Sequence, residues 1–300
     1  MNKNNMNRNQ MIYKTRTAFG QSENIGVYAL ISVVNELAAG GGTDFHVSVK
    51  LLLPWGAKKD SMYAAGKRIK QVCRESGIHL DDFQAELQAG ISRHMAVVTG
   101  ASLSPKEQEW YRETMRAGQH IVVTKWAGME GMIKAAEERK EALSKRFAPA
   151  FLRQIEGFRE ELLALKEINI GKNAGVSFMQ EVGEGGIFAA LWRLSKEAHT
   201  GLEAELKKIS VLQETIEVCE YLHMNPYQLA SAGSILMVTD NGNLLLDMLQ
   251  REGIKASLIG RLTDNNDKII RNGEDRRYID RPAPDELNRI FMEDDKDEGY

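Results

Sequence analysis

The residues best suited to chemistry gather in one stretch, Val182-Gly183-Glu184-Gly185-Gly186-Ile187, where a carboxylate sits among glycines directly before the apolar run Phe188-Ala189-Ala190-Leu191-Trp192. Glycines ahead of a helix bare the backbone N–H groups of its first turn, and the positive end of the helix dipole favours an anion there. The chemistry on offer is phosphate binding. The same pattern also makes a plain tight turn, and the local sequence leaves both readings open. Ala127-Gly128-Met129-Glu130-Gly131-Met132 repeats the theme, with glycines around an acid between a strand and a helix. Cys219 and His223 lie one helical turn apart; two ligands are an incomplete zinc set, and a packed thiol beside a surface imidazole explains them equally. The six histidines are dispersed. Tyr221 and Tyr227 read as core or edge aromatics. The chain has no GxxxxGK(S/T) loop, GxGxxG, HExxH, CxxC pair or GxSxG elbow, so several common enzyme classes lose support.

The elements that must position these residues are legible from periodicity. Gln10 to Thr17 alternates as a strand, and Ser22 or Asn24 can cap a helix through Ile25 to Ala38 that Gly40-Gly41-Gly42 ends. Phe45 to Leu53 reads as a strand stopped by Pro54, and Asp60 to Ser76 as an amphipathic helix stopped by Gly77. Gln84–Ala89 and His94–Gly100 form a strand pair. The polar, proline-marked Ser104 to Glu109 marks a domain boundary. Beyond it Ile121 to Trp126 is a buried strand, and Lys134 to Arg146 and Phe151 to Lys166 are charged helices interrupted at Pro149. Leu202–Ile209, Ser234–Val238 and Ala256–Arg261 are strands, the last of them final in the chain, with helices over Gln213–Leu222 and Asn243–Gln250. Two split β-α-β units on one sheet give a ferredoxin-like layer. Asp275 to Leu287, with Pro282 and Pro284, reads as an irregular surface strap.

Three hundred residues and 43% hydrophobic content suffice for about two packed domains. A net charge of −3, with both signs interleaved, gives no reason to expect nucleic acid, while an anionic small molecule stays open. Cys73 and Cys219 each fall in a helical apolar pattern and read as buried free thiols in a reducing compartment. No run reaches the length of a membrane span and Met1 to Arg8 lacks the core of a signal peptide, which points to the cytoplasm. The acidic run Glu293 to Glu298 reads as a solvated, disordered tail.

Met179 to Ile187 resembles the HDVTEGG motif of the aminoimidazole ribonucleotide synthetase (PurM-like) superfamily, which includes selenophosphate synthetase, thiamine-monophosphate kinase and the hydrogenase expression/formation protein HypE. Val122 to Gly131, Glu214 to Glu220, Asn225 to Ser234 and Pro282 to Leu287 are similar to the HypE-like branch. The likeness is strong from about Gly118 to Leu287 and looser over Met11 to Gly100. It implies an α+β fold of two domains: a mixed α/β amino-terminal domain whose sheet pairs with a second subunit as a barrel, and a ferredoxin-like carboxy-terminal domain. The expected division is a disordered head over 1–10, a dimerisation domain over 11–116, a second domain over 117–288 and an acidic tail over 289–300. ATP and magnesium are the cofactors implied, serving phosphoryl transfer to an amide or carboxylate-type oxygen. The partners implied are a second copy, an active paralogue or hydrogenase maturation proteins, with no nucleic acid or membrane.

The chain departs from that pattern in several places. Nothing before Met11 stands for the family's glycine- and acid-rich segment over the phosphates. The family's Thr-Asp is Thr15-Arg16, and an arginine has no lone pair for magnesium. Val-Asn-Asp appears as Val34-Asn35-Glu36, and the second-strand motif aligns with Asp82 to Glu86. In the glycine cluster the leading His-Asp is Gln180-Glu181 and the Thr is Gly183, and the chain ends without the cysteine that receives the carbamoyl group in HypE. The resemblance therefore carries a nucleotide site onto Arg16, Asn35, Glu36, Glu86, Glu184, Gly185 and Gly186, with Glu36 and Glu86 as metal ligands. It leaves three expectations: an impaired relative with a residual nucleotide cleft, a divergent magnesium–ATP enzyme in which Arg16 contacts phosphate, or a dimeric scaffold in which Arg16 pairs with Glu36.

Overall fold

The computed structural model describes residues 9–105 and 114–297. The chain divides into two compact units, residues 1–110 and 111–300.

In the first unit β1 (Asn9–Gly20) leads to α1 (Ile25–Ala39), followed by β2 (Phe45–Pro54), α2 (Lys59–Glu75), β3 (His79–Gln88) and β4 (His94–Pro105). The sheet order is β1-β4-β2-β3, antiparallel except for the parallel pair β2/β3 that α2 connects. Alternation decides which face is covered. Val47, Val49, Leu51 and Leu53 of β2 and Ala96 and Val98 of β4 are buried beneath Leu30, Val33, Val34 and Leu37 of α1 and Ile69 of α2. Each of these valines, leucines and the isoleucine contributes about 1.5–3 kcal/mol, and Ala96 less. The opposite face is open, and on it Met11, Tyr13, Phe19 and Leu103 are exposed.

Neither expected cap closes α1 through its side chain. Asn24 is the cap residue, but its side-chain oxygen accepts from Arg68 at 2.6 Å, and Ser22 Oγ accepts from the Asn24 N–H. The glycine triplet ends the helix as expected, with the Gly42 N–H donating back to the Leu37 carbonyl. Strand β3 starts already at His79, because its polar residues lie on the open face, where no apolar alternation marks them.

In the second unit β5 (His120–Thr124) is followed by α3 (Met129–Glu138), α4 (Lys140–Arg146), α5 (Pro149–Gly157) and α6 (Leu165–Asn173). Then come β6 (Phe178–Gly183), α7 (Gly186–Ala198), β7 (Gly201–Glu205), α8 (Gln213–Tyr221), β8 (Ser231–Thr239), α9 (Gly242–Arg251), β9 (Ala256–Thr263), β10 (Lys268–Asn272), β11 (Asp275–Tyr278) and α10 (Asn288–Asp297). The sheet order is β11-β10-β7-β9-β5-β8-β6. Its antiparallel run β9-β5-β8-β6, with helices between β5 and β6 and between β8 and β9, is the ferredoxin-like layer. Strand β8 is buried along its whole length, as a central strand covered on both faces must be.

Several expectations need correction. The charged helix over 134–146 is two helices meeting at Arg139, and the one over 151–166 is α5, a 3-10 turn at Phe158–Glu161 and the start of α6. Pro149 opens α5 at its first position, where its missing N–H is no loss. Strand β9 is not the last, since Asp275–Tyr278 forms a hairpin with β10; all four of its residues are exposed, so burial leaves no imprint on them. The strand read over 202–209 stops at Glu205 and turns into a 3-10 helix. The acidic run is helical through Asp297. Both thiols are free and buried, as read.

Candidate functional site

The glycine cluster joins β6 to α7 through three residues at positive φ: Gly183 at 58°, Gly185 at 75° and Gly186 at 65°. A side chain at Gly186 would also bring its Cβ within 2.6 Å of the Tyr227 carbonyl. Glycine is therefore demanded twice, by the turn and by the close backbone approach. The segment Asn225–Ser231 supports both glycine-started helices: the Gly128 N–H, at the start of α3, donates to Ser231 Oγ at 2.7 Å, and the Gly131 N–H to the Ala230 carbonyl at 2.8 Å.

The anion position at the start of α7 is filled from within the chain. The Gly185 N–H donates to Asp285 Oδ2 at 2.7 Å, and the Leu287 N–H to Oδ1 at 2.9 Å. Asp285 is buried, and burial pushes its carboxyl up to about 6, against the lowering effect of these two N–H donors. At the start of α3 the buried Glu130 accepts from the Ala232 N–H at 3.0 Å and pairs with Lys134. Glu184 itself is exposed, while its carbonyl accepts from Arg193. Asp285 was hidden in a segment read as an irregular strap; the Pro-Ala-Pro-Asp run marks a stop, and nothing local shows where its carboxylate lands.

In the first unit Arg16 Nη2 donates to Glu36 Oε1, and Lys14 Nζ lies 3.7 Å from Glu36 Oε2. One carboxylate thus answers two cations, leaving the spot net positive, with Lys14 and Arg16 each more than two-fifths exposed. Asn35, beside it on α1, is wholly buried. Glu86 is elsewhere: Lys50 Nζ lies 3.1 Å from its Oε1, and Gln88 donates to the same oxygen, so both hold its carboxyl below the usual range.

The pairing Arg16↔Val98↔Val49↔Phe83 fixes the face that α1 covers, and Glu86, three residues beyond Phe83, projects from the other. Within one chain, then, the sheet stands between Glu36 and Glu86, and the two expected metal ligands are not brought together. The Cys219 thiol is pushed by burial up to about 12, so it stays protonated and ligates poorly beside His223. Tyr227 stacks on Phe188 at 5.5 Å, and Tyr221 meets Phe147 edge-on.

A four-stranded sheet under two helices, joined in sequence to an extended ferredoxin-like layer with glycine-started helices, is the two-domain PurM/HypE-like fold. Residues 116–272, just over half of the chain, match the AIR synthase related protein C-terminal domain, and the chain belongs to that family. A putative hydrogenase expression/formation protein of Methanocaldococcus jannaschii is 21% identical over 93% of this chain and 82% of its own length. Carbamoyl dehydratase HypE of Rhizobium leguminosarum is 20% identical over 93% and 80%. Among solved structures, E. coli HypE superposes with a TM-score of 0.74 at 18% identity, covering 94% of this chain and 89% of its own. A HypE in complex with ATP gives 0.71 at 15%, covering 94% and 87%, and one in a HypE–HypF complex 0.67 at 15%, covering 91% of each. Among the described residues no helix is long and apolar enough to cross a membrane.

Proposed function

We propose that this chain is a HypE-related protein that retains a nucleotide-binding surface but is impaired in magnesium-dependent phosphoryl transfer. The observation that carries the reading is the Glu36 carboxylate engaged by both Lys14 and Arg16. A carboxylate holding two cations is a poor magnesium ligand, whereas the surplus positive charge suits a phosphate, and a guanidinium does so through its planar donor fork. The related HypE solved with ATP supports a nucleotide as the ligand, and the HypE–HypF complex supports hydrogenase maturation proteins as the setting. Two buried free thiols suit a cytoplasmic location.

Calorimetric titration of ATP with and without magnesium, followed by product analysis, tests the reading. The expected result is saturable ATP binding that magnesium does not strengthen, with no hydrolysis. Magnesium-dependent hydrolysis abolished by Glu184→Gln would overturn it.

A second reading, a dimeric scaffold without nucleotide, draws support from the same Arg16–Glu36 contact and from the exposed Met11, Tyr13, Phe19 and Leu103 on one sheet face. Apolar side chains on an open sheet face suit pairing with a second copy. No response to ATP under either condition, together with a dimer by light scattering, would favour it.

A further inference from the structure

We propose a second, separate site: a divalent transition-metal site of zinc type formed by Asp44, His46 and His79 in the first unit. Strands β2 and β3 run parallel, and their register sets His46 directly beside His79, so the two imidazoles stack with centroids 4.6 Å apart and planes 14° apart. Asp44, in the turn just before β2, faces both rings. Its Oδ2 is 3.5 Å from His46 Nε2 and its Oδ1 is 3.3 Å from His79 Nε2. Ligand atoms about 2.0–2.1 Å from a tetrahedral centre lie roughly 3.3–3.4 Å apart, close to each of these spacings, which run to the two different oxygens of the Asp44 carboxylate. All three ligand atoms fall within 4.8 Å of one another.

The fourth member is Asp81. The β2/β3 register slips between Val47 and Ser48, which leaves Asp81 as the extra residue of a bulge and re-aims its carboxylate at the neighbouring strand. Its oxygens sit 3.0 and 3.1 Å from His46 Nδ1. A carboxylate on the far nitrogen fixes the tautomer that leaves Nε2 free to ligate and makes that nitrogen more basic; metal-bound histidines have such a partner almost always. Two imidazoles and one carboxylate suit zinc or its first-row neighbours better than magnesium, which takes oxygen ligands. Three protein ligands leave a coordination position for water or a group from outside. The set is distinct from Arg16 and Glu36, which lie on the covered face and at the other edge of the sheet.

The test uses the full chain without an affinity tag, stripped with chelator and titrated with zinc by calorimetry and with cobalt by visible absorption. One equivalent per chain is expected, with a cobalt d–d band in the tetrahedral or five-coordinate range. His79→Ala and Asp44→Ala are each expected to weaken binding at least tenfold, Asp81→Asn about 10–100-fold, and His223→Ala not at all. Proton NMR of the unaltered protein provides a readout independent of variant folding: zinc should shift the ring signals of two of the six histidines. No saturable binding, binding unchanged in the His46→Ala/His79→Ala double variant, or six undisturbed histidine signals would each overturn the assignment.

Discussion

Arg16 on β1 and Glu36 on α1 are bonded across the helix–sheet interface, with Lys14, on the same strand face, closing on the other carboxylate oxygen. The cluster makes opposite demands on its members. If ATP binds there, Arg16→Ala removes a charge-assisted contact of about 1.5–3 kcal/mol, a weakening of roughly ten- to a hundredfold. Glu36→Gln removes the competing carboxylate and should tighten binding several-fold. Calorimetry at two salt concentrations reads both, and the Arg16→Ala variant should show the shallower salt dependence.

Asp285 sets a pH dependence. The folded chain holds this proton more tightly than the unfolded chain, in which the group titrates at its ordinary 3.8. The stability contributed by that proton is complete below 3.8 and is lost as pH rises through about 6. The shift corresponds to on the order of 3 kcal/mol. Urea unfolding at pH 4, 5, 6 and 7 should show wild type losing ground to Asp285→Asn over that window, and the cost of Asp285→Ala, which orphans two N–H donors, should be largest at pH 4 and shrink in parallel as pH rises.

Gly186→Ala should destabilise the second unit by about 2–4 kcal/mol, combining a strained backbone with a clash against the Tyr227 carbonyl. Gly253 has φ 75° and open space around its missing Cβ, so Gly253→Ala should cost only about 1 kcal/mol. Equal losses in thermal unfolding would refute the packing argument.

Lys125 and Glu167 are both buried and meet at 2.8 Å. Glu167→Ala removes the nearer and more deeply buried of the two carboxylates at the Lys125 ammonium, leaving Glu161 Oε2 at 3.4 Å, and should cost about 1–3 kcal/mol. The exposed Arg116–Asp240 pair, at 2.7 Å, should cost at most about 1 kcal/mol when broken by Asp240→Ala. Denaturant unfolding of the two variants compares them directly.

Strands β5 and β8 were readable because they carry the apolar runs of buried strands, and the glycine cluster because only glycine meets its backbone demands, whereas β6, with Gln180 and Glu181 in its middle, was not read as a strand. Strand β11 was not readable, since Asp-Arg-Arg-Tyr at an exposed edge bears no burial pattern. That Glu36 and Glu86 take opposite faces of one chain's sheet was not legible, because sequence order does not tell which face a residue takes until the register is known. His46 and His79 were missed for the same reason: 33 positions apart in sequence, they become neighbours only through a parallel pairing. Asp285 needed the path of the whole strap.

The pairing of β1 with β4 joins Asn9 to Pro105 and Gly20 to His94, so β1, made before the other strands of its sheet, pairs only with the one made last. At about 5–20 residues per second, β1 waits on the order of ten seconds for β4 to be made. Through that interval the backbone N–H and C=O groups of β1 that β4 will pair are unsatisfied and open to pairing with neighbouring nascent chains. Slowing synthesis before β4 should therefore raise the yield of aggregate, whereas the same pause after β4 should not.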